Sequence, residues 1–379
     1  RRPIYEQFFN KLLYTLLVFL LAVAAVPPAS ATGLAEEPTG APGTLRAAVK
    51  TVTDSIGRVV EVPASPQRVV TAGRAVLMIA DAIYAFEDAP DRLVGVGRIS
   101  QGAGNFVSAI DDDYAEKMTF ERNVGPEQIA AAQPEVVILK TFMRRTLGTR
   151  LETLGIPVVY VELETPEQYE RDLMLLGRLF NEEERASELV EYFRSRRREI
   201  ESISTPLADA ERPRTLLLYY RASSGDVSFQ VPPREWIQTR LVESAGGNPV
   251  WTDDQTGSGW QTVGFEQIAA WDPDDIAIVA YNENSAEIRD ELAAHRRWRE
   301  LRAVRSGRFH AFPRDFYSWD QPDTRWLLGL QWLAKTLHRD LYPTIDAAAF
   351  VREFFFVVYG LDAERFDRVV APRLQGDID

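Results

Sequence analysis

Residues 125–134 read Gly-Pro-Glu-Gln-Ile-Ala-Ala-Ala-Gln-Pro, and residues 264–273 read Gly-Phe-Glu-Gln-Ile-Ala-Ala-Trp-Asp-Pro. Seven of the ten positions are identical. A β-branched run follows each copy, Val136 to Leu139 and Ile276 to Val279, so each unit reads as a short helix leading into a strand. One such unit in each half of the chain marks equivalent positions on two related folds.

The flanking sequence repeats the alternation. Thr51 to Val62 has near period-two spacing around Asp54 to Gly57 and predicts a hairpin, ended by Pro63 and Pro66. Strands are predicted at Arg68–Thr71, Leu93–Val96, Val136–Leu139 and Pro157–Val161, with helices at Ala75–Phe86 and Pro126–Ala132. From Pro166 to Ser204 the strand signal stops, and Leu173, Leu176, Leu179, Leu189, Tyr192, Phe193 and Ile200 fall at helical spacings. Asn181 can cap the second half of that stretch, with Glu182 to Glu184 at the positive end of the helix dipole and Arg194 to Arg198 towards the negative end. The alternation resumes with strands at Arg214–Tyr220, Ile276–Ala280 and Arg308–Phe312. Helices are expected at Arg234–Ala245, Phe265–Ala270, Thr324–Leu337 and Ala347–Tyr359. The expected fold is α/β: two doubly wound lobes with parallel sheets, joined by one long backbone helix. The expected boundaries are 51–165 for the first lobe, 166–205 for the linking helix and 206–379 for the second lobe.

Composition narrows the function. The chain has 379 residues, 45% of them hydrophobic, with 43 basic against 56 acidic side chains and a net charge of -13. Such a balance disfavours neutralising many phosphates, so nucleic acid is not an expected partner. Cysteine is absent, which removes disulfides, thiolate metal sites and cysteine nucleophiles. The three histidines, His295, His310 and His338, show no metal-ligand spacing. At the start, Arg1, Arg2 and Lys11 precede an apolar run from Leu12 to Val26, then Pro27-Pro28 and Ala29-Ser30-Ala31. That order predicts a signal peptide over 1–31 cleaved after Ala31, with retention as an anchor the competing expectation. A flexible leader, 32–50, should follow, and the mature protein should be periplasmic.

Three stretches together resemble the solute-binding proteins of ABC importers for iron chelates and vitamin B12. They are V-T-D-S-I-G-R-V-V-E-V-P-x-x-P-Q-R-V-V at 52–70, the E-Q-I-A-A repeat, and S-W-D-Q-P-D-T-R-W-L-L-G-L-Q-W-L-A-K at 318–335. The resemblance covers Thr51 to Gly360. It implies a monomeric bilobed protein with a rigid helical hinge, which captures a metal chelate between its lobes and presents it to a permease dimer with its ATPase. It implies no enzyme activity and no resident cofactor. In the resembling family, glutamates at the third position of the two repeats form salt bridges with permease arginines, and Glu127 and Glu266 occupy those positions here.

Ligands of open parallel sheets sit beyond the carboxyl ends of the strands. Those ends bring Arg74, Arg98, Lys140, Tyr220 with Arg221, Tyr281, and Tyr317 with Trp319. Arginine and tyrosine concentrated there would make a locally positive, stacking cleft for an anionic chelate such as a ferric siderophore. Cobalamin, haem and a molybdate- or tungstate-type oxyanion are the alternatives. Trp260, in the glycine-flanked Gly257-Ser-Gly-Trp260, should ride a mobile loop over the cleft, whereas Trp326 and Trp332 should be core.

Other motifs carry no function. Gly95-Val-Gly97 has Ser100 where a dinucleotide fingerprint needs its third glycine. Asp111 to Asp113 lacks the ligand spacing of a calcium loop. Ser223-Ser224-Gly225 is no nucleophile elbow, which leaves an exported α/β hydrolase only as a remote alternative. His310, in an expected strand, should be structural.

Overall fold

The computed structural model describes residues 48–223, 226–343 and 346–378. It opens with the hairpin β1 (Val49–Thr53) and β2 (Val59–Pro63), paired antiparallel. Arg58 pins its turn: the guanidinium holds Asp54 through Nε (2.9 Å) and Nη2 (2.8 Å), reaches Glu152 at 2.5 Å and lies 4.6 Å from the centroid of the Tyr160 ring. The signal segment and most of the leader lie outside the described residues. The leader's last two residues, Val49 and Lys50, are already strand.

Five strands follow: β3 (Val69–Thr71), β4 (Leu93–Gly97), β5 (Met118–Phe120), β6 (Val136–Lys140) and β7 (Val158–Val161). They form a fully parallel sheet in the order β5-β4-β3-β6-β7. The first strand, β3, sits in the middle and later strands wind outward on both sides, so the crevice between the ends of β3 and β6 is the topological switch point. Every residue of β3, β6 and β7 is buried, because helices cover both faces.

The second sheet departs from expectation. Its strands are β8 (Arg214–Ser223), β9 (Asp226–Val231), β10 (Asn248–Pro249), β11 (Gln261–Val263), β12 (Asp275–Ala280) and β13 (Phe309–Ala311), ordered β11-β9-β8-β12-β13 with β10 beside β8. β8, β12 and β13 are parallel, but β9 runs antiparallel to both of its neighbours, β8 and β11. Only one half of this sheet is doubly wound.

The linker also differs: two helices, Pro166–Phe180 and Glu183–Ser204, replace the single expected one. Asn181 adopts the left-handed conformation (φ 61°, ψ 39°), closing the first helix where it was expected to open the second. The helices then fold back on each other so closely that a Cβ on Gly177 would lie 2.5 Å from that of Ala186. In the first helix, buried Asp172 accepts from Ser55 Oγ (2.6 Å) and from the backbone N–H of Glu162 and Leu163, which ties it to the first lobe. The second is 22 residues, about 33 Å long. Its Phe193 packs 5.5 Å from Trp326 and 6.3 Å from Phe354, beside the second lobe.

Between the lobes runs a plug, Ala311 to Leu330, in which twenty successive residues are all buried. Phe316 O accepts from Ala103 N (2.8 Å), and the Tyr317 hydroxyl accepts from Phe106 N (3.0 Å), joining the plug to the loop after β4. Gly102 is required there. Its φ is +80°, and a Cβ would stand 2.1 Å from Phe316 O. The C-terminal segment crosses the junction as well: Tyr359 packs 4.8 Å from Phe106, and Arg365 and Arg373 donate to Ile110 O and Ala103 O at 2.7 Å.

A sealed plug and a folded-back helix pair both resist hinge bending. Small-angle scattering should show no ligand-induced change in radius of gyration beyond a small fraction of the ~20 Å expected for a folded body of this size. A change of several ångströms would show that the plug opens.

Candidate functional site

The chain bends at the end of β3, where Ala75 takes the left-handed conformation (φ 57°, ψ 28°) and starts the Val76–Ile83 helix without a side-chain cap. That helix start is one wall of a cavity of about 250 Å³, which Arg74, Arg98, Arg122, Gln101 and Asn282 also line. Asn282 belongs to the second lobe, so the cavity spans the cleft. Its charge is strongly positive. Arg98 is paired with Glu121 at 2.7 Å, but Arg74 and Arg122 have no carboxylate partner among the described residues. Arg74 lies 5.8 Å from the ring centroid of Phe142, a 50% exposed aromatic on the cleft rim. Uncapped N–H groups, the positive end of a helix dipole and two unpaired guanidiniums together favour an anion.

The second lobe supplies an aromatic wall. The Tyr281 ring packs against Tyr219 at 4.5 Å with a 34° tilt, and Tyr219 meets Trp260 at 4.9 Å. Trp236 stands edge-on to Trp260 at 5.7 Å. Behind the wall, the Tyr281 hydroxyl donates to Asp320 Oδ2 at 2.8 Å. Asp320 is fully buried, and burial pushes its pKa up to about 6.

Arg74 and Arg98 line the cavity, and Trp260 and Tyr281 stand together on the second lobe, where Tyr281 is the chain neighbour of the cavity-lining Asn282. The other five expected ligand contacts are placed elsewhere. Lys140 is fully buried, its ammonium 2.5 Å from Glu164 and donating to Glu162 O; burial lowers its pKa. Tyr317 and Trp319 are in the plug: the hydroxyl of Tyr317 is spent on Phe106, and the Trp319 indole donates to Asp315 at 2.8 Å. Tyr220 turns away. Successive strand residues face opposite sides, so Tyr219 joins the wall while Tyr220 packs 6.0 Å from Phe229. Arg221 is exposed on the far end of β8. Trp326 and Trp332 are core, as expected. His310 lies in β13, its Nε2 3.1 Å from buried Asp275, a structural contact. Tyr219, Trp236, Phe142, Arg122 and Asn282 were not anticipated. Arg122 follows β5, a strand of three residues too short to register as a pattern, and Phe142 lies just beyond β6 in a tight turn.

The two repeat glutamates occupy matching places. Glu127 and Glu266 are each in the first turn of a short helix, Pro126–Ala131 and Phe265–Trp271, behind an extended glycine. Their side chains are 74% and 79% exposed. Glu127 is 3.8 Å from Arg150, and Glu266 is 2.5 Å from Arg297. Both helices run antiparallel to the strand that follows, so both begin on the side where the strands end.

The sequence profile of the family described as "Periplasmic binding protein" matches residues 73–315, which hold both repeats and most of the cleft. The chain belongs to that family. A curated relative, the cobalamin-binding protein of Halobacterium salinarum, is 25% identical over 264 residues, covering 69% of this chain and 67% of its own. Among solved structures, an ABC transporter solute-binding protein from Sulfurospirillum deleyianum superposes with TM-score 0.68 at 22% identity, covering 84% of this chain and 98% of that one. A molybdate-bound periplasmic protein of Haemophilus influenzae gives 0.64 at 19%, covering 83% and 98%. No helix among the described residues of this periplasmic binding protein is long and apolar enough to cross a membrane. No cluster of three or more His, Cys, Asp or Glu able to hold a metal ion occurs among them either.

Buried Asp320 sets a pH response with an unusual sign. Its folded pKa lies above its unfolded value of 3.8, so the folded state holds the proton more tightly, and stability falls as pH rises from about 4 to about 6. Melting temperature should therefore rise on acidification from pH 7.5 to 5. Asp320→Asn should remove on the order of 2 kcal/mol of that gain. Below about pH 4 the gain levels off, because the unfolded chain then binds the same proton. A melting temperature that falls steadily from pH 7.5 to 5 would contradict an Asp320 carboxyl held protonated by burial.

Proposed function

We propose that this periplasmic binding protein captures an anionic iron chelate, of the ferric siderophore class, and delivers it to the permease of an ABC importer. One observation carries the reading: unpaired Arg74 and Arg122 and an uncapped helix start lie across a 250 Å³ cavity from Asn282, the neighbour of an aromatic wall. Guanidiniums and N–H groups suit the negative charge of a chelate, and Tyr219, Tyr281 and Trp260 suit its delocalised rings. Binding by complementary surfaces needs no nucleophile or general base, and the reading assigns none. Export through the 1–31 segment, with cleavage after Ala31, is part of the same proposal.

A second reading, cobalamin, is favoured by the Halobacterium relative. A corrin ring would use the aromatic wall in the same way but would leave the arginines with little to neutralise. Intrinsic fluorescence separates the two. Titration with a ferric tris-catecholate should quench Trp260 stoichiometrically, with Trp260→Ala costing about tenfold in affinity and the double variant Arg74→Gln/Arg122→Gln about a hundredfold. Saturable quenching by cyanocobalamin that survives loss of both arginines would select the second reading. Retention of bare molybdate, or of haem, would exclude both, and turnover of a chelate without stoichiometric binding would exclude a binding function.

Glu127 and Glu266 are assigned to docking, one per lobe. Surface carboxylates at this distance from the cleft should steer and hold a basic partner through salt-sensitive contacts. Exchanging both for arginine should leave chelate affinity nearly unchanged and abolish uptake by cells carrying the importer. Undiminished uptake, or loss of chelate binding, would remove the docking assignment.

A further inference from the structure

The Val76–Ile83 helix meets both the ligand cavity and the opposite lobe. Val76 and Leu77 line the cavity. Further along, fully buried Asp81 accepts through Oδ2 from Arg325 Nη1, although Arg325 lies 244 positions away, in the stretch that closes the second lobe. Neither side chain reaches solvent.

Arg325 has more acids than it can neutralise. Its Nε also donates to both carboxylate oxygens of Asp315 (2.7 and 2.8 Å), and Asp323 Oδ2 stands 3.8 Å from Nη1. One guanidinium faces three carboxyl groups in a site closed to water, so full ionisation would leave two uncompensated negative charges. Asp81 Oδ1 and Asp323 Oδ2 have no hydrogen-bond partner among the described residues, which leaves a place for a proton on each. Burial, outweighing the pull of Arg325, pushes Asp81 up to about 6 and Asp323 well above its ordinary value. The other titratable groups packed around the cluster are Tyr317 of the plug, Tyr169 of the Pro166–Phe180 helix and Tyr359 of the C-terminal helix. Burial pushes all three phenols well up, so they stay neutral between pH 5 and 8. Glu164, paired with Lys140, adds a like charge near Tyr169, and Arg325 stays charged throughout.

We propose that Asp81 is a positioning residue for the ligand cleft: its bond to Arg325 pins the cavity-lining helix to the opposite lobe, and removing a proton from the surrounding carboxyl groups loosens that pin. The pin itself is independent of ligand; only its effect on affinity rests on the chelate reading above. The cause of the loosening is competition. Each further carboxyl group of the cluster that ionises draws on the same guanidinium and repels the others.

Hydrogen exchange on the full chain without ligand tests the pin. After correction for the intrinsic base-catalysed rate, amides of residues 73–83 should exchange about tenfold faster at pH 8 than at pH 5.5, while β8 and β12 show no such difference. Asp81→Asn should abolish that pH dependence, and Asp81→Ala should raise exchange in 73–83 at least tenfold at both pH values. Should Asp81→Ala fail to fold, Asp323→Asn decides: protection kept, pH dependence lost. Equal protection of 73–83 in wild type and Asp81→Ala, a pH dependence that survives both Asn variants, or faster exchange everywhere at once would overturn the proposal. With the ferric tris-catecholate as probe, Asp81→Ala should weaken binding about tenfold at an unchanged quench amplitude. A wild type that binds none of the probes would refute the chelate reading, with the exchange result still deciding the pin.

Discussion

Everything in this molecule converges on the Arg325 guanidinium. It is wholly buried, shares three carboxyl groups and lies 4.5, 5.0 and 5.5 Å from the ring centroids of Phe106, Tyr317 and Phe355. Those partners come from four separate parts of the chain: the first-lobe helix, the loop after β4, the plug and the C-terminal helix. An apolar side chain of similar volume could fill such a space with equal or better stability, whereas removing one partner from a buried pair costs about 3–5 kcal/mol. The cluster therefore contributes uniqueness of assembly more than net stability. Only one arrangement of the four segments satisfies this charge, and that arrangement is the one that faces the two lobes across the cleft.

How much of this was legible follows from what each pattern encodes. The central strands β3, β6 and β7 are buried on both faces and so read as unbroken β-branched runs, and the E-Q-I-A-A repeat announced the units leading to β6 and β12. Short or half-solvated strands were missed. β5 and β11 have three residues each, and β9 is half solvated, with no alternation strong enough to separate it from a loop. The linker misled for another reason: apolar periodicity runs through Asn181 on both sides, and periodicity cannot report one residue in the left-handed region. Gly177 beside an Asn-Glu-Glu-Glu run was the available sign of a close helix turn.

At the cleft, the strand-end rule located the right region and only part of the right side chains. It says where a backbone stops, not where the next side chain points. Tyr219 and Tyr220 are adjacent, and strand alternation alone puts one on the wall and the other behind it. Lys140, Tyr317 and Trp319 failed through burial, because each spends its polar atom on an internal partner, distant in sequence for Lys140 and Tyr317 and four residues away for Trp319. A run such as Ser318 to Thr324, dense in polar residues, would ordinarily be placed at a surface. Its burial depends on Phe106 and Asp81 arriving from elsewhere to meet the adjoining Arg325, which no local pattern contains.

A plug of this kind shifts the source of affinity. Binding proteins that close around a ligand use part of the interaction free energy to bring their lobes together, and shape selection comes with closure. Here the lobes meet through a polar network made of the chain's own buried side chains, and what a ligand gains depends on how well it fits the walls that this network holds apart. Rigid, multiply charged ligands suit such a site best, since they lose little freedom on binding and meet fixed guanidiniums with fixed charge. The price is adaptability: an arginine wall on one lobe and an aromatic wall on the other cannot move apart to admit a ligand of different thickness. Selectivity then resides in how Arg74 and Arg122 are spaced from the Tyr219–Trp260 wall, and the buried framework behind them sets that spacing.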